Sequence, residues 1–99
     1  MIESLLPRTE AEAKFPLGTL ALTSHAFTTL PFDDIAVALQ RHVRGDWGDV
    51  CEADRAENER SLQIGQRLFS VYYDRNGAKF WIITEADRRS TTVLLPEDC

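Results

Sequence analysis

The chain has 99 residues, 43% of them hydrophobic and 27% charged, the make-up of one globular domain with a single small core. Lysine and arginine number 11 against 16 acidic residues, and the formal charge of −5 disfavours a general role on nucleic acid, where binding rests on cation-phosphate contacts. The 2 cysteines lack CxxC spacing, which argues against a disulfide framework or zinc site, and no run approaches the ~20 apolar residues of a membrane span.

Residues 1–16 carry Pro7, Pro16 and mixed charge without a clear period, and they read as an N-terminal arm ahead of one domain over 17–99. Acids and a proline stand where a secretory signal needs a basic end and an unbroken apolar run, so the cytoplasm is the expected compartment. From Leu17 to Ser24, Leu20 and Leu22 alternate with Thr19, Ala21 and Thr23, the period of a half-buried strand. His25 to Pro31 then reads as a turn. From Pro31 the period becomes helical, with Phe32, Ile35, Ala36, Leu39 and Val43 on one stripe. Pro31 suits an opening turn, Asp33 and Asp34 the positive end of the dipole, and Arg41, His42 and Arg44 its negative end, with Gly45 as the stop.

A second helix is expected from about Val50 to Ile64, with Asp49 as N-cap, Glu52 completing a capping box and Gly65 ending it. Its apolar stripe is thin: Cys51, Leu62 and the stem of Arg55 share a face with Asp54 and Asn58. Three strands follow in "RLFSVYYD", "KFWIITE" and "TTVLLP", and Asn76-Gly77 between the first two predicts a two-residue type I′ turn. The order β-α-α-β-β-β gives an α+β fold, a four-stranded mainly antiparallel sheet with two helices packed on one face.

Both faces of that sheet are apolar. Leu68 and Tyr72 oppose Phe69, Val71 and Tyr73 on one strand, and Phe80 and Ile82 oppose Trp81 and Ile83 on the next. Two helices cover only one face, so the other calls for the arm or a second copy of the chain. A homo-oligomer is the expectation.

Two polar stretches are the candidate site. In "GDWGDV" Gly45 and Gly48 turn the chain, Asp49 caps, Trp47 plugs the helix crossing, and Asp46 is left over. Together with His42, Trp47, Asp54 and Asn58 it forms the expected lining of a ligand cleft. His42, Asp46, Asp49 and Asp54 are ligand types for a divalent ion, yet their spacing matches no metal motif, and capping and helix-end duties explain the same residues; no metal and no cofactor is expected. In "TEADRRSTT", Glu85, Asp87 and Arg88 read either as structural ion pairs beside cross-strand threonines or as a polar rim facing the helix corner, joined by Arg67 and Tyr73. Ser24 and His25 are adjacent in a turn and do not face each other as nucleophile and base. No nucleophile elbow or phosphate loop is present.

The segments "RHVRGDWGDVCEADRAENERSL" and "GQRLFSVYYDRNGAKFWIITEADRRSTTVLLPEDC" resemble a family of small uncharacterised proteins carried on bacterial plasmids, phages and mobile gene cassettes. That resemblance implies a mobile-element origin and no particular activity. The element order is also similar to that of bacterial mRNA-cleaving toxins, which cut RNA with basic and aromatic side chains on the sheet; fold order is weak evidence for function. The expectation is a non-enzymatic, self-associating module that takes a small molecule or protein partner between the helix corner and the 85–88 connection, with no membrane or nucleic-acid partner. The alternative is a toxin-like ribonuclease using Arg67, Tyr73 and Arg88.

Overall fold

The computed structural model describes residues 13–98; the first part of the arm, 1–12, and Cys99 lie outside the described residues. The elements run β1 (Thr19–Leu22), α1 (Ser24–Thr29), α2 (Phe32–Val43), α3 (Glu52–Ile64), β2 (Leu68–Tyr73), β3 (Lys79–Thr84) and β4 (Ser90–Leu94), with a 3-10 turn at Pro96–Asp98. The fold is α+β: one mixed sheet in the order β1-β4-β3-β2, with β1 parallel to β4 and the other two pairings antiparallel. Among the described residues no helix is long and apolar enough to cross a membrane.

The segment expected to be a turn folds instead into α1. Thr23 is extended and its Oγ1 accepts the Ala26 amide at 3.0 Å, an N-cap strong enough to start a helix that buries only Ala26. In α2 the buried residues are Ile35, Ala38, His42 and Val43, while Phe32, expected on the stripe, is 73% exposed. The stripe turns away from Phe32 because it is anchored by His42 and Ala38 against the sheet. The start of α3 also differs from the capping box: its N-cap is Cys51, which makes no side-chain capping bond, and the Asp49 carboxylate instead accepts the Tyr73 hydroxyl at 2.9 Å. Gly65 ends α3 in the left-handed region, its amide donating to the Ser61 carbonyl at 2.9 Å.

The β2–β3 hairpin is not a type I′ turn. Among the described residues Arg88 is the only non-glycine with positive φ, so Asn76 does not take the conformation that turn needs. Gly77 donates to the Asp74 carbonyl at 3.0 Å and Asp74 to the Ala78 carbonyl at 2.9 Å, a type I turn closed by a glycine bulge. The Asp74 carboxylate decides this form by accepting the Asn76 and Ala78 amides, both at 2.8 Å.

Two apolar groups make the core, and every sheet residue in them comes from one face. Ala26, Leu30, Ile35 and Ala38 pack on Tyr72, Phe80, Ile82 and Val93; Phe15, Val43 and Trp47 pack on Leu68. Phe15 belongs to the arm as delimited by sequence, yet it is buried in this second group, so residues 13–17 are a strap over the core. The outer edge of β2 is sealed as well. Asn58 of α3 donates its amide to the Phe69 carbonyl at 2.7 Å and accepts the Phe69 N–H at 3.0 Å, as a neighbouring strand would. Further along, Val71 donates to the Trp47 carbonyl at 3.1 Å and accepts from Asp49 at 2.8 Å. Gly48 permits this approach, since a Cβ there would fall 2.0 Å from the Val71 oxygen.

Candidate functional site

The cleft expected between the helix corner and the 85–88 connection is filled. Phe15 occupies it, stacked on Trp47 at 6.2 Å, edge-on to His42 at 5.1 Å, and with the Arg88 guanidinium 5.8 Å from its ring. A partner would have to displace the strap, which is tied down by the Lys14 amide on the Val43 carbonyl at 2.7 Å and by Thr91 Oγ1 on the Leu17 carbonyl at 2.7 Å.

His42 is fully buried and has no nitrogen to offer a ligand or a metal. Its surroundings set its tautomer, because the chain of hydroxyls ends on a carbonyl. Thr91 donates to the Leu17 oxygen, so Thr84 must donate to Thr91 at 2.8 Å, and His42 Nε2–H then donates to Thr84 at 2.9 Å. Ser70 Oγ closes the other end by donating to Nδ1 at 2.6 Å. The imidazole is therefore neutral, and burial, followed by the nearby Arg88 cation, lowers its pKa to about 3.

The remaining residues of the corner have structural partners. Asp46 accepts Arg41 Nε at 2.7 Å and Nη2 at 3.2 Å, and this hydrogen-bonded cation holds its pKa below the usual carboxylate value. Trp47 is fully buried and donates Nε1–H to Glu59 at 2.9 Å. Asn58 is the cap of the β2 edge. Asp54 is exposed in the first turn of α3, and the His42 nitrogens are bonded to Ser70 and Thr84 instead. Among the described residues no three histidine, cysteine, aspartate or glutamate side chains gather in a way that would hold a metal ion.

The 85–88 connection is a clamp. Arg88 gives Nη1 to the carbonyls of Gln66, Glu85 and Ala86 and Nη2 to that of Ser61, joining the end of α3 to the turn before β4. Asp87 accepts the Arg89 amide at 3.0 Å, and Glu85 pairs with Arg67 at 3.5 Å. Arg67 and Tyr73 stand at opposite ends of β2, about 20 Å apart at strand rise, so the three residues of the ribonuclease alternative do not converge on one phosphate.

A shallow cleft of about 230 Å³ lies elsewhere, between α2 and the beginning of the hairpin. Its charged groups are already paired: Arg75 with Asp34 at 2.9 Å, and Arg41 with Asp46. The Tyr72 hydroxyl donates to the Asp46 carbonyl at 2.6 Å, and burial raises its pKa. A typical ligand pocket is larger, about 300–1,000 Å³, and is lined mainly by apolar side chains with a few polar groups placed to orient the ligand.

The second face of the sheet is different. Strand register places Ala21, Thr92, Ile83 and Phe69 in one row across it and Leu94, Trp81 and Val71 in the next. Neither apolar group of the core includes any of these side chains. Val71 and Leu94 are buried; Phe69, Trp81 and Ile83 are half-buried, with Phe69 and Trp81 edge to face at 5.4 Å. A charged or polar row flanks them at each end. One is the Arg67–Glu85 pair; the other is Lys79 with Tyr73, whose rings and ammonium lie 5.9 Å apart. The Tyr73 hydroxyl is held on Asp49, and that bond raises its pKa.

Of the site residues expected from sequence, only Arg67, Tyr73 and Glu85 border this face. Phe69, Val71, Trp81 and Ile83 were readable as one side of two-sided apolar strands, whereas Leu94, Lys79 and Asp49 joined this face only through register and the Tyr73 bond. Comparison with models of protein families, with curated protein sequences and with solved structures gives no match.

Proposed function

We propose that the chain is a non-enzymatic interaction module whose working surface is the open face of the sheet, closed in use by a second copy. The observation that carries this reading is the pair of apolar rows on the face that neither described core group uses. Four strands at a spacing of about 4.8 Å and two rows of side chains span roughly 260 Å² of sheet face. Phe69, Trp81 and Ile83 keep part of that surface accessible, and apolar surface left in water is a common mark of an interaction site. An apolar centre flanked by charged rows also has the anatomy of a protein interface.

The helix side supports the reading by what it lacks. Among the described residues its buried polar groups are consumed internally by the His42 chain, the Arg88 clamp and the Asn58 cap. The patch is small beside the ~800 Å² per partner of a stable dimer, so association is expected to be weak and concentration-dependent. In this reading the module works in the cytoplasm, the compartment expected from its N-terminal sequence, as part of a mobile element's genes, a setting that the resemblance implies.

Sedimentation equilibrium from roughly 10 µM to roughly 500 µM tests the proposal. The average mass should rise toward that of a dimer, and Trp81→Asp should abolish the rise. A wild-type chain that stays monomeric throughout contradicts it.

A further inference from the structure

We propose that the strap at 13–17 is a plug whose release is coupled to protonation of His42, so that acid lifts Phe15 out of its cleft and uncovers the apolar slot of Val43, Trp47 and Leu68 beneath it. The device lies on the helix side and makes no use of the second face of the sheet.

Two contacts join the strap to the histidine. The buried Phe15 ring stands edge-on to the imidazole at 5.1 Å and forms part of the wall that keeps water from it. The Leu17 carbonyl accepts Thr91 Oγ1 at 2.7 Å, and this acceptor fixes the direction of the hydroxyl chain that runs through Thr84 to Nε2. When the strap lifts, the ring loses its cover and the chain its last acceptor.

The other walls are held by structure that the strap lacks. His42 belongs to α2, Ser70 to β2 and Thr84 to β3, each fixed by helix or ladder hydrogen bonds. Residues 13–17 lie outside every helix and strand and are tied by the Lys14 amide on the Val43 carbonyl at 2.7 Å and by the Thr91 bond. Gly18, with φ 68°, joins them to β1, and a glycine there lets the strap swing while the Thr19 amide stays on the Arg89 carbonyl at 2.8 Å. The strap is therefore the wall that opens at least cost.

Protonation supplies the driving force. One proton from solvent adds to Nδ1, which in the closed state accepts the Ser70 hydroxyl at 2.6 Å; the new N–H points at that oxygen and the Ser70 proton must turn away. Both ring nitrogens meet hydroxyls, so among the described residues no carboxylate offsets the new charge. Arg88, from the connection between β3 and β4, adds a repelling cation. The other charged groups nearby are turned to their own partners: Arg41 of α2 to Asp46, Glu59 of α3 to the Trp47 indole, and Lys14 of the strap along Gly45. Closed, the imidazole has a pKa of about 3, whereas a ring open to water returns toward 6.5. The open state thus binds the proton more tightly, and release grows as pH falls from 6.5 toward 3.

Amide hydrogen exchange of the full chain, corrected for intrinsic rates and followed from about pH 7 to about pH 4.5, tests the coupling. Opening at the Lys14 amide should rise roughly 30- to 70-fold in the wild type, stay nearly flat in His42→Gln, and leave the ladder amides of β3 protected. Opening that ignores pH, that rises equally in His42→Gln, or that rises in step with the β3 amides overturns the proposal, the last because acid then unfolds the whole domain. Phe15→Ala gives a second test that does not need the His42 variant to fold. Loosening the strap should raise the proton affinity of His42, read from the NMR titration of its ring, at least about tenfold. A His42 that titrates as low in Phe15→Ala as in the wild type contradicts the coupling.

Discussion

The two faces of the sheet are built from equally apolar strands, yet they are sealed in different ways. On the helix side, Leu68, Tyr72, Phe80, Ile82 and Val93 are closed over by helices and by Phe15, and the buried polar groups among them are bonded to one another. On the other side the apolar rows belong to neither described core group, and the polar residues stand at the two ends. Hydrophobicity alone therefore does not make the two faces alike; the difference lies in where the bonded polar groups stand, buried among the apolar side chains as His42, Ser70, Thr84 and Thr91 are, or exposed at the ends of the rows as Arg67, Glu85 and Tyr73 are.

The largest expected effect belongs to the sealed face. Trp47→Ala removes a fully buried ring and its bond to Glu59, and should cost about 3–5 kcal/mol in urea denaturation. Trp81→Ala on the open face should cost only about 1–2 kcal/mol in the dilute monomer, because less of its surface leaves water on folding. Equal losses would erase the contrast between the faces.

The hydroxyl chain around His42 sharpens the same comparison. Its folded pKa of about 3 lies below the ordinary 6.5, so the unfolded chain holds the extra proton between those values. The stability that neutral His42 contributes is full above pH 6.5 and is lost as pH falls toward 3, by at most ~1.4 kcal/mol per pH unit. Denaturation curves measured between pH 7 and pH 4.5 should show this slope in the wild type and a flatter one in His42→Gln.

Smaller effects follow at the periphery. Asn58→Ala leaves the Phe69 amide and carbonyl of the β2 edge without their partner and should cost about 1–3 kcal/mol, with faster amide exchange at Phe69. Asp46→Ala breaks an exposed ion pair with Arg41 and should cost less than about 1 kcal/mol.

Much of the fold was legible in the sequence because it is local. Helical spacing placed α2, Gly65 ended α3, and alternation located the three C-terminal strands. What misled was side-chain chemistry competing for the same backbone: Thr23 started a helix where a turn was expected, and Asp74 replaced the Asn-Gly turn with a bulged one. Asp49 left its capping position for Tyr73, a residue 24 positions away. The site was harder to read for a related reason. His42, Asn58 and Arg88 have the residue types of a functional cleft, and only three-dimensional contacts reveal that each is spent on the chain's own backbone or hydroxyls. The apolar rows of the open face, by contrast, were visible as strands with no polar side.

Acrylamide quenching of tryptophan fluorescence as a function of protein concentration tests the central claim most directly, because Trp47 is sealed in the core and the quenchable emission reports Trp81. If a second copy closes the open face, Trp81 becomes protected as concentration rises, in step with the mass measured by sedimentation. Quenching that stays constant while the mass rises would place the contact elsewhere on the molecule and contradict the account.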